Sequence, residues 1–111
     1  MVNLAIKKGN KTMVKAEAAR GFRKAFGLMF SKQKNILLEA EYEGVISSAI
    51  HMLFVFFPID VIWLNKKKEV VDIKTAYPFQ LFLAPKKPAK YILELKKGKG
   101  KLFRTGNKLK F

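Results

Sequence analysis

The sequence has no cysteine and one histidine, His51, among its 111 residues. A disulfide framework and a thiolate metal site are thereby excluded, and a zinc site would have a single imidazole to draw on. No metal and no cofactor is expected. Cysteine-free composition is the ordinary state of a cytosolic chain. The opening MVNLAIKKGNK puts lysines where an export signal needs an apolar run, so a cytoplasmic location is expected. Acidic residues are also scarce, 8 Asp and Glu against 23 Lys and Arg, for a net charge of +15. Lysine without matching glutamate is not the balanced ion-pair enrichment of thermophiles. It points to an anionic partner or to a basic shell around a neutral core.

An uninterrupted membrane-length apolar run is missing too. Val45 to Leu64 would make about 30 Å of helix, the thickness of a bilayer core. Within it, however, stand Ser47, Ser48, His51, Pro58 and Asp60. Proline breaks the helix, and a mid-membrane aspartate costs about 2.5–3.5 kcal/mol on insertion scales. The alternative is a pair of buried strands, Met52 to Phe57 and Asp60 to Leu64, meeting at a proline bend. No membrane partner is expected.

Half of the residues are hydrophobic, which excludes a disordered tail and suffices for one core. The whole chain, 1–111, therefore reads as a single domain. Val2 to Ile6 and Thr12 to Ala18 flank a Gly9-Asn10 turn and predict a hairpin. Phe22, Phe26 and Met29 recur at helical spacing and predict one short helix. Asn35 to Glu43 alternates, with Ile36, Leu38, Ala40 and Tyr42 on one face and Leu37, Glu39, Glu41 and Glu43 on the other. IDVIWLN and EVVDIKT, separated by Lys66, Lys67 and Lys68, predict a second hairpin. If Asn65 pairs with Glu69, the ladder sets Asp60 opposite Lys74. Pro78, Pro85 and Pro88 mark an irregular loop. Tyr91 to Leu95 returns as a strand, followed by a short turn or helix, a turn at Thr105-Gly106-Asn107 and a closing strand through Leu109 and Phe111. The expected fold is mainly β, with α+β as the alternative: a compact antiparallel barrel or roll with one or two short helices.

GLMF at 27–30, IHM at 50–52, FPIDVIWLN at 57–65, VVDI at 70–73, PAKYILEL at 88–95 and GNKLKF at 106–111 stand in a specific order. In this succession the chain resembles archaeal-type members of the domain of unknown function 192 family, also called uncharacterised protein family 0127. The resemblance runs from about Ala16 onward. His51 and Met52 stand where the family has a Trp-Met pair, Leu53 and Phe54 replace its polar residues, and Pro58-Ile59-Asp60 is a close match. The resemblance implies a small β-rich domain and no established activity.

The residues themselves offer no catalytic constellation. Ser47 and His51 lie four apart, but no neighbouring carboxylate orients the imidazole and the segment is not expected to be helical. Glu39, Glu41 and Glu43 could present oxygens to a hard cation, although a solvated strand face paired with nearby lysines is the simpler reading. KKGKGK at 96–101 lacks the P-loop spacing. It does offer contacts to a polyanion.

The expected activity is therefore binding, with nucleic acid or another polyanion as partner. Its candidate contacts are Arg20, Arg23, Lys24, Lys96, Lys97, Lys99, Lys101 and Arg104, with Phe103 as the one aromatic beside them for stacking. The alternative is a small-molecule binder or enzyme with a pocket lined by Met29, His51, Met52, Asp60 and Glu94. A third reading is a protein-interaction module using the acidic strand. Asp60 is expected to act as a brace beside the proline bend.

Overall fold

The structure, a computed structural model, describes residues 2–19, 34–52 and 55–111. The expected helix through Phe22, Phe26 and Met29 and the basic group Arg20, Arg23 and Lys24 lie outside the described residues. Six strands form one curled sheet: β1 (Val2–Lys8), β2 (Lys11–Ala19), β3 (Ile36–Gly44), β4 (Ile59–Leu64), β5 (Val70–Ala76) and β6 (Ala89–Lys96). Their spatial order is β1-β2-β3-β6-β4-β5. The mainly β expectation holds. Helix among the described residues is confined to one 3-10 turn, Lys99–Leu102.

The sheet is mixed rather than antiparallel. β2 and β3 run parallel, with Glu17 opposite Ile36 and Ala19 opposite Leu38. Residues 20–35 connect them, long enough for the crossover that a parallel pair requires. All other pairs are antiparallel. Beyond residue 104 the chain clasps both edges of the sheet. Lys110 exchanges two 2.8 Å backbone hydrogen bonds with Lys7 of β1, and Lys108 bridges Glu69 just before β5. This joins the edges of a half-barrel. The expected closing strand is thus a pair of bridges.

The end of the apolar stretch that could have suggested a membrane, Ile59–Leu64, is a central strand. All six residues of β4 are buried, because β4 lies between β5 and β6 and both of its faces are covered. Ile62 and Leu64 point to one apolar cluster with Ile6, Val14, Leu93, Leu95, Phe103 and Leu109. Ile59, Val61 and Trp63 point to the other, with Ile36, Leu38, Met52 and Ile92. Burying each such side chain contributes about 1.5–3 kcal/mol. Among the described residues no helix is long and apolar enough to cross a membrane.

Two local expectations need correction. Met52 to Phe57 is not a strand: its described residues make a turn, Val55 N–H to Met52 C=O, and bonds to the 77–80 loop. None of its described residues has a ladder partner. In the β4–β5 hairpin, Asn65 does pair with Glu69 and Leu64 with Val70, but a bulge then shifts the register so that Trp63 opposes Asp72. Asp60 consequently faces Thr75, not Lys74.

Candidate functional site

Asp60 is the centre from which the basic turn is built. Near the start of β4 and opposite Leu95 at the end of β6, its carboxylate lies where three donors converge. Thr75 Oγ1 donates to Oδ1 at 2.9 Å, while the backbone N–H groups of Gly98 and Gly100 donate to Oδ2 at 2.8 and 2.9 Å. The turn between them needs both glycines. Gly98 has φ of +97°, and a Cβ on Gly100 would lie 2.9 Å from both Cβ and Oδ2 of Asp60. Gly100 and Phe103 are buried and Leu102 packs partly against the same cluster, so it is the basic residues around them that face outward. Lys96, Lys97, Lys99, Lys101 and Arg104 are all exposed. Among the described residues, ion pairs are made by Lys34, Lys74 and Lys90, and by none of these five. Phe103 is 3% exposed and cannot serve as a stacking surface.

A second basic group was not foreseen. The clasp at 107–111 draws together Lys7, Lys8 and Lys11 of the first hairpin, Lys66 and Lys67 of the second, and its own Lys108 and Lys110, all exposed. Each set was visible as a lysine-rich turn in the sequence. Only the long-range bridges reveal that they share one end of the half-barrel.

The alternative pocket is divided by the sheet. Asp60 opposes Leu95, and Val61 opposes Glu94, so the two carboxylates project from opposite faces. Met52 is buried in the Glu94-side cluster, His51 is exposed, and Met29 lies outside the described residues. Burial pushes the Glu94 carboxyl up from 4.5 to about 7. A hollow of about 390 Å³ beside Asp60 and Lys101 is lined by a carboxylate whose oxygens are already taken. A cavity of about 240 Å³ between Leu4, Leu37, Tyr91 and Phe111 is smaller than ordinary ligand pockets. Lys68 Nζ beside it donates to the Phe111 carbonyl at 2.7 Å.

The acidic strand is engaged rather than open. Glu39 lies 3.5 Å from Lys90 Nζ, and Glu43 accepts from the Lys66 N–H at 2.8 Å. Ser47 Oγ donates to the Tyr42 carbonyl, in a segment that is a turn and not a helix. Among the described residues no three potential metal ligands come together.

Comparison with known proteins places these features in context. The solved structure of a protein of unknown function from Novosphingobium aromaticivorans DSM 12444 superposes with a TM-score of 0.80. It shares 20% sequence identity, over 98% of this chain and 85% of that one, and so attests the fold alone. The UPF0127 protein PF1050 of Pyrococcus furiosus is 41% identical over 97 residues, covering 86% of this chain and 83% of its own. The UPF0127 protein TK1120 of Thermococcus kodakarensis is 42% identical over 92 residues, which are 78% of this chain and 57% of that protein. This chain thus spans little more than half of the second relative. The profile described as DUF192, Uncharacterized ACR, COG1430, matches residues 4–111. With that match and relatives at about 40% identity, the chain belongs to the DUF192 family, known also as UPF0127.

Proposed function

We propose that this protein binds nucleic acid or a related polyanion in the cytoplasm and catalyses no reaction on it. The observation that carries this reading is the exposed turn at 96–104, whose five cations have no carboxylate partner among the described residues. Phosphates neutralised by such lysines release condensed counterions, a gain that does not depend on sequence. The turn is held rigid by Asp60, so its lysines are presented at little cost in backbone ordering. Arg20, Arg23 and Lys24 belong to the same proposed contact set.

Titration against one DNA duplex over a salt series tests this. Five phosphate contacts give a slope of log K against log[salt] near −4 to −5, and a Lys99→Ala, Lys101→Ala double variant flattens it by up to about 2. No binding at low salt removes nucleic acid from the account. An unchanged slope removes this cluster.

Glu94 supports a second reading, a small-molecule site on the opposite face of the sheet, because a buried carboxyl raised to about 7 is a common feature of functional sites. It also suits a neutral carboxyl sealed in the core. A Glu94→Gln variant that keeps its fold but loses a bound or co-purifying small molecule would favour this reading.

A further inference from the structure

The basic turn adjoins a group of exposed apolar side chains. The loop between β5 and β6 exposes Tyr77 (51%), Phe79 (47%), Leu81 (74%) and Phe82 (62%), and Phe56 beside it is 63% exposed. Phe56 and Phe79 meet edge to face, ring centroids 5.4 Å apart and planes at 77°. Soluble proteins rarely leave this much aromatic surface together without a use for it.

The rings are also held in place. Met52 N–H donates to the Gln80 carbonyl at 2.6 Å and Phe79 N–H to the Met52 carbonyl at 2.9 Å, while Ile50 and Leu83 exchange two more bonds. Gln80 Oε1 accepts from the Tyr77 N–H at 2.7 Å. Phe79 has φ of +67°, a left-handed conformation that strains any aromatic residue. Relaxing that residue would swing its ring away from Phe56, so the hydrogen bonds around it hold the display against the strain. At the other end of the array, Lys97 Nζ sits 5.9 Å from the Tyr77 ring centroid. Aromatic platform and cationic turn are therefore continuous.

Phosphates alone require only the lysines. A duplex hides its base faces in its own stack, whereas a single strand presents a flat π-face from every nucleotide, and aromatic side chains stack on these without sequence preference. Four rings beside a basic turn match that chemistry, with Leu81 the one aliphatic side chain among them; a lipid surface, which also takes aromatic anchors, is the outcome the vesicle arm separates. Resting on the nucleic-acid reading above, we propose that Phe56 and the Tyr77, Phe79 and Phe82 loop form a stacking platform for unpaired bases. Single-stranded nucleic acid is then the preferred polyanion.

The test compares three labelled probes at one salt concentration: a single strand of about 16 nucleotides, the same sequence as a duplex, and vesicles of phosphatidylglycerol and phosphatidylcholine. Wild type binds the single strand more tightly than the duplex. A Tyr77→Ala, Phe82→Ala double variant, with its fold checked by circular dichroism, loses at least about 25-fold in single-strand affinity, about fivefold per stacked base. Its duplex affinity stays near that of wild type, and Phe82→Tyr, which retains a ring, binds the single strand normally. Equal affinity for the two nucleic acids, or equal loss on both in the double variant, overturns the platform and leaves the phosphate reading standing. Vesicle binding that depends on Tyr77 and Phe82 while single-strand binding does not would reassign the loop to a membrane. Failure to bind either nucleic acid at low salt overturns the platform and the reading beneath it together.

Discussion

Replacing Asp60 separates the charge of its carboxylate from its shape. Asn can be placed with its oxygen toward the two glycine amides and its amide donating to Thr75 Oγ1, whose hydroxyl turns to accept. Nearly all of the geometry survives, and what is lost is the charge assistance of three hydrogen bonds. Charge-assisted bonds contribute about 1.5–3 kcal/mol each against about 1 for neutral ones; because the three share one carboxylate charge their losses do not add in full, and Asp60→Asn should cost about 1–3 kcal/mol. Ala removes both acceptor oxygens, and with them all three bonds, and leaves the Gly100 N–H buried without a partner. That variant should cost about 3–5 kcal/mol, a large share of the 5–15 kcal/mol that stabilises a domain of this size. Urea unfolding followed by Trp63 fluorescence gives both values, and amide exchange at Gly98 and Gly100 shows whether the turn opens locally or with the whole protein. The reasoning fails if Ala costs no more than Asn, or if the Gly100 amide exchanges slowly in the Ala variant.

Three further outcomes follow from the same geometry. Gly100→Ala drives a methyl group to 2.9 Å from the Asp60 carboxylate and should destabilise by about 1–3 kcal/mol, measurable as a lower urea midpoint. Because the native state holds the Glu94 proton up to about pH 7 while the unfolded chain releases it near 4.5, this contribution is complete below pH 4.5 and lost as pH rises toward 7. The loss is at most about 3 kcal/mol, and Glu94→Gln should flatten the stability profile across that window. Trp63, fully buried, should emit at a blue-shifted wavelength; Trp63→Phe should lower stability by about 2–4 kcal/mol, since its Nε1–H bond to the Ser48 carbonyl, 2.8 Å, goes as well as its volume.

The sequence made local order legible and long-range order largely not. Both hairpins, the strand at 89–96 and the irregular proline loop follow from alternation and turn chemistry, which act over a few residues. The Asp60 partner was missed because a single bulged residue near Val71 moves every later pair by one position. Such a bulge leaves no mark in an unbroken β-branched run. The parallel β2–β3 pair depends on a contact between segments sixteen residues apart, for which periodicity carries no signal. The carboxylate cradle at Gly98 and Gly100 was present as KKGKGK, legible as a turn but not as the brace's destination. Exposed phenylalanines in the 77–82 loop look identical to core residues when only the sequence is read.

The place of β6 in the sheet bears on how the protein is made. Residues 89–96 are synthesised after the other five strands, yet β6 sits between β3 and β4 and joins the β1-β2-β3 half to the β4-β5 half. Until they leave the ribosome, neither β3 nor β4 has the neighbour that satisfies its backbone groups on that edge. At 5–20 residues per second that interval lasts only seconds, but a stalled or truncated chain would remain in it. β6 therefore decides whether the five strands before it join into one sheet or stay exposed to chaperones and proteases.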